Sequence, residues 1–145
     1  KARELNVTDR VQFTGLVSRD AMPAWQAAID ISLQPAVVPY ASPLKMLEYL
    51  ACGKAIVAPD QSNIKELLQD GHNALLFEED NTSSFLDAIS KLAADPQLCR
   101  DLGKNAYSSI NDRQLTWANN ASRIIEIFSE LKSKSSVSSS ANETN

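Results

Sequence analysis

The segment Ser42-Pro43-Leu44-Lys45-Met46-Leu47-Glu48 sets a cation and a carboxylate three residues apart at the start of an expected helix. Ser42 is a good N-cap and Pro43 is pre-set for the first helical position, so Lys45 falls in the first turn. The positive end of the helix dipole disfavours a lysine there by about 0.3–1 kcal/mol unless an anion is shared between them. A phosphate is such an anion. Glu48 follows one turn later as a neighbour of Lys45, placed to hold a hydroxyl-bearing group beside that phosphate. A nucleotide has both parts. The plain alternative is a solvated Lys45–Glu48 pair worth about 0.2–0.5 kcal/mol.

The elements around this helix shift the weight toward a binding site. At a period of 3.6, Leu44, Met46, Leu47, Leu50 and Ala51 form an apolar sector, while Lys45, Glu48 and Tyr49 share the other side. Residues 29–35 and 54–59 read as short buried strands before and after it, and Gly53 suits the left-handed position that ends a helix. In open parallel sheets, ligands bind at the carboxyl ends of strands, which is where the loop 35–41 lies. Further strands are expected over 11–15 and 74–77, the latter reached through the turn Asp70-Gly71-His72-Asn73. A helix is expected over 20–28, with Pro23 near its start. His72 reads as a turn residue, since general-base work requires a positioned partner. Four strands alternating with helices argue for a parallel sheet with helices on both faces.

Only helices are expected after the sheet. Asn81 or Thr82 caps one carrying Phe85, Ala88, Ile89 and Leu92 on a single face, and Asp95-Pro96 opens the next. The last carries Trp117, Ala121, Ile124, Ile125, Phe128 and Leu131 at helical spacing, an apolar stripe that must bury against something. Residues 133–145 are Ser- and Asn-rich and read as a disordered tail beyond a domain covering 1–132.

With 145 residues, 43% hydrophobic and 22% charged, the composition is that of a globular domain with a single core. A net charge of −4 without any Lys/Arg run argues against a nucleic-acid-binding face. Cys52 and Cys99 lie on expected helices with no metal-type spacing to each other or to His72, which points to free buried thiols. No apolar run approaches the length that spans a bilayer.

The order of these pieces resembles a known family. A strand ending in Pro35, a loop, the helix segment Glu48-Tyr49-Leu50-Ala51-Cys52-Gly53-Lys54-Ala55-Ile56-Val57-Ala58, then Glu66, Asp70-Gly71 and Ala74-Leu75-Leu76-Phe77 looks like the donor-binding half of retaining group 1 glycosyltransferases. The resemblance covers residues 11–128. It implies an α/β fold: a Rossmann-like parallel sheet with helices on both faces, the C-terminal half of a GT-B fold, truncated at the N-terminus and helical at its C-terminal end. The family's motif is two glutamates eight positions apart, of which the second matches Glu48, the ribose ligand, and the first falls on Tyr40. Between them the family presents glycine-rich amides to the distal phosphate, where this chain has Ala41, Ser42 and Pro43. Pro43 has no N–H to donate, so the Lys45 ammonium and the Ser42 hydroxyl take over part of that role. This resembles a subgroup carrying Ser-Pro-Leu-Lys, with Leu44 beside the donor. Where two glycines commonly approach the donor, this chain has Ser62 and Asn63, which either contact the sugar or simply open a capped helix over 63–68.

The resemblance further implies a nucleoside diphosphate sugar as substrate, no cofactor and no metal ion. It implies a partnering N-terminal acceptor-binding domain, and a cytoplasmic protein, peripheral at the inner membrane face in its full-length form. The acceptor is a saccharide or a lipid-linked group. Because transfer needs donor and acceptor held in line, the chain by itself is expected to be inactive. Its closing helix would lean on the N-terminal domain or, without it, drive self-association. Two other readings stay open: a nucleotide-sugar epimerase on the same fold, and a nucleotide-binding or interaction module that has lost catalysis, prompted by Tyr40.

Overall fold

The computed structural model describes residues 1–141 apart from 37, 39, 41 and 43, with side chains as far as Lys132. Three short strands, β1 (Ile31–Leu33), β2 (Ala55–Pro59) and β3 (Leu75–Phe77), form one sheet in the order β1-β2-β3. Both pairings are parallel, with Ile31 opposite Ala55 and Val57 opposite Leu75. Every residue of the central strand is buried, as a strand covered on both faces requires. Alternation along β2 sends Ile56 and Ala58 to one core and Ala55 and Val57 to the other.

The first core packs the sheet on α2 (Leu44–Ala51) and α3 (Ser62–Lys65) through Met46, Leu50, Ile64 and the following Leu68. The second packs it on α4 (Thr82–Ala94) and α5 (Pro96–Asp112) through Leu92 and Leu102, with the Phe77 and Phe85 rings 4.9 Å apart. The α/β sheet flanked by helices on both faces is therefore present. Local capping chemistry places the helix starts: Asn81 Oδ1 accepts from Ser84 N at 3.0 Å, and Asp95 Oδ1 accepts from Gln97 N and Leu98 N at 3.0 and 2.9 Å. Gly53 has φ +62°, the left-handed geometry expected after α2. The α2–β2 turn is touched directly by α5, since a Cβ at Gly103 would lie 2.4 Å from the Gly53 carbonyl oxygen.

Three elements differ from expectation. Residues 11–15 form no strand, and Phe13 is 89% exposed. An extended segment becomes a strand only against a neighbour's backbone, and among the described residues no strand lies beside this one. The sheet thus has three strands rather than four. Helix α1 spans Met22–Ala28, with Pro23 in its first turn, but buries no side chain. The short α3 begins at Ser62 with Gln61 in the cap position and no side-chain cap, so neither Ser62 nor Asn63 caps it. Helix α6 (Trp117–Ala141) runs on into the Ser-rich stretch, which contains neither Gly nor Pro to stop it. Its apolar stripe stays open: Trp117, Ile125 and Phe128 are 88%, 67% and 73% exposed.

Candidate functional site

Because β1 and β2 are parallel, the chain leaves both at the same end of the sheet, and the loops toward α2 and α3 start side by side. Two bonds hold the first loop there. Gln34 N donates to Val57 O at 2.9 Å, and Asn63 Nδ2 donates across to Val38 O at 3.2 Å. Asn63 is buried and its Oδ1 lies 3.0 Å from Ile64 N, so this side chain ties the two loops together. Gln61 is buried beside it and donates its Nε2 to Glu79 Oε1, while its own Oε1 is buried without a partner.

Around these loops lie the residues singled out in the sequence. Tyr40 is 89% exposed and Leu44 66% exposed, and Ser42 and Ser62 are exposed as well. Leu44 thus leaves the apolar sector assigned to it: α2 rests on the sheet through Met46 and Leu50, and Leu44 faces solvent at the helix entrance. Leu44 N donates to Ser42 O at 2.9 Å. Pro43, expected at the first helical position, lies outside the described residues.

Lys45 and Glu48 are both exposed on α2. The solvated pair that offers the plain explanation for them does not form. Among the described residues Lys45 makes no ion pair, and Glu48 Oε2 instead accepts a hydrogen bond from Gln26 Nε2 of α1 at 3.3 Å. The lysine at the positive end of the helix is left without a counter-charge, and the carboxylate keeps one oxygen open. Nothing along the chain marks Gln26, a lone glutamine 22 residues upstream of its partner. Ser42, Leu44 and Leu47 also line a cavity of about 460 Å³ with Leu115, Trp117 and Arg123.

The remaining titratable candidates are structural. His72 sits exposed in the turn after α3, where its carbonyl accepts from Asn105 Nδ2 at 2.8 Å. Asn73 anchors that turn, donating to Ser109 Oγ at 3.0 Å and accepting from Gln69 N at 2.7 Å. Arg113 caps the end of α3 by donating to the Glu66 and Leu67 carbonyls. Cys52 and Cys99 are free, half-buried thiols, and burial, reinforced by Asp30 and Asp95, holds the Cys99 thiol above its ordinary range. Among the described residues no helix is long and apolar enough to cross a membrane.

Comparison with known proteins bears on this geometry. Residues 1–95 match the family model described as "Glycosyl transferases group 1". The chain is 24% identical over 129 residues to the D-inositol 3-phosphate glycosyltransferase of Streptomyces bingchenggensis, covering 89% of itself and 28% of that protein. Among solved structures it resembles Anabaena HepE in complex with UDP, with a TM-score of 0.78, 24% identity and coverage of 89% and 35% of the two chains. The sucrose-phosphate synthase of Thermosynechococcus elongatus gives a TM-score of 0.77 at 23% identity, covering 92% and 33%. The chain thus spans about a third of the length of each.

Proposed function

This chain belongs to the group 1 glycosyl transferases, and from that premise we propose that it is the donor-binding part of a retaining enzyme. The enzyme moves a sugar from a nucleoside diphosphate sugar to a saccharide or lipid-linked acceptor. The observation that carries this reading is the unpaired Lys45 in the first turn of α2 with the half-open Glu48 carboxylate beside it. The ammonium and the helix dipole together neutralise the diphosphate as the bond to the sugar breaks, and this charge stabilisation takes the place of a metal ion. Glu48 accepts from the ribose hydroxyls. The Ser42 hydroxyl supplies a donor where Pro43 has none, Tyr40 and Leu44 flank the donor, and Ser62 lies at the neighbouring loop. Asn63 acts by shaping that loop through Val38.

The acceptor-binding part of the enzyme lies outside this chain, so the isolated chain is inactive as a transferase. The test is steady-state transfer by the complete enzyme. Lys45→Ala is expected to lower kcat by about 100- to 1,000-fold, the scale for removing one group that stabilises developing charge. An unchanged kcat would remove Lys45 from the leaving-group site.

A further inference from the structure

Helix α1 contributes no buried side chain, yet its C-terminal end is fixed to the α2–β2 unit by three polar links. Gln26 Nε2 donates to Glu48 Oε2 at 3.3 Å, the Cys52 thiol donates to Gln26 Oε1 at 3.5 Å, and Lys54 Nζ donates to the Ala27 carbonyl at 2.8 Å. A primary amide has an acceptor end and a donor end. The Glu48 carboxylate only accepts, so it takes the NH2 end of the amide, and the Cys52 thiol donates weakly to the carbonyl end that then faces it. Glu48 is an exposed carboxylate on a helix surface, free to swing among rotamers unless something holds it. Gln26 takes one of its oxygens and leaves the other for a ligand.

We propose that Gln26 is a positioning residue for nucleotide binding: held by the Cys52 thiol, on a helix end that Lys54 fixes through the Ala27 carbonyl, it orients the Glu48 carboxylate toward the ribose hydroxyls of the donor. The inference rests on the donor-site reading above. Gln26 acts through Glu48 and touches no phosphate, so its effect is confined to the part of the affinity that comes from the ribose hydroxyls. A merely structural glutamine would change the affinity for every nucleotide alike.

The test uses calorimetric titration of the chain with UDP, GDP and ADP and, for whichever binds, its 2′,3′-dideoxy form. Gln26→Met keeps the length of the side chain and removes both ends of the amide. It is expected to weaken the ribose form by about 3- to 10-fold, the scale of one hydrogen bond, and to leave the dideoxy form unchanged. In a Glu48→Ala background the same change should have no effect on either ligand, because coupled residues fail to add. In the free chain, Glu48→Ala should shift the Gln26 side-chain amide resonances. Equal weakening of both ligands by Gln26→Met overturns the proposal, as does no weakening of the ribose form while Glu48→Ala weakens it. Unmoved Gln26 amide resonances overturn it without any ligand. If Glu48→Ala leaves the ribose form as tightly bound as before, or no nucleotide binds, the donor-site reading fails and the positioning role falls with it.

Discussion

Lys45 stands at the positive end of the α2 dipole with Glu48 three residues on, and among the described residues the two form no ion pair. What the sequence could not show is that the two would leave each other alone. That outcome depends on Gln26, which approaches from another helix and belongs to no pattern along the chain. Asn63, at the start of α3, also donates to the Val38 carbonyl, a tie between two loops distant in sequence. Cys99 offers a test of burial at this scale. Its thiol is held above its ordinary range by desolvation first and by Asp30 and Asp95 next, so the folded chain keeps that proton to higher pH than the unfolded chain. The associated stability is whole below the unfolded thiol pKa and is lost as pH rises through the folded one. Denaturation of wild type and Cys99→Ala between pH 7 and about 10.5 should therefore show a steeper alkaline loss in wild type, and parallel curves would contradict the assignment.

The elements divide according to how local their causes are. Helices α4 and α5 start where Asn81 and Asp95-Pro96 placed them, and α2 ends at Gly53, since caps and left-handed turns are decided by adjacent residues. Strands are decided by partners. The segment 11–15 has the composition of a strand but no neighbour to pair with, whereas Ile31–Leu33, Ala55–Pro59 and Leu75–Phe77 find each other in parallel register. Gly103 in α5 lies against the Gly53 carbonyl, so that an added Cβ would be 2.4 Å from backbone oxygen. Nothing in the sequence announced Gly103, because a glycine inside a helix marks a close contact only once the opposing backbone is known. Gly103→Ala improves helix propensity, yet it should destabilise the chain by about 1–3 kcal/mol through overpacking, read from urea denaturation midpoints. A more stable variant would show that the contact yields.

At the scale of the whole molecule, the sheet's carboxyl end gathers two loops and the entrance of α2 into one exposed rim, while both faces of the sheet are closed by helices. The core supports this rim directly: Met46 and Leu50 are fully buried on the same helix that carries Lys45 and Glu48. The chain spans about a third of Anabaena HepE, and the apolar stripe of α6, with Phe128 73% exposed, is left open. The sequence showed that stripe and its need for cover, but its cover does not come from within the described residues. Donor binding by this chain is decided by calorimetric titration of the purified chain and of its Lys45→Ala and Glu48→Ala variants with UDP, GDP and ADP. One nucleotide is expected to bind, and each substitution should weaken it by about 10-fold or more without lowering thermal stability, as expected for hydrogen bonds to charged groups. Absence of binding to the folded chain, or binding that neither substitution changes, would contradict the account.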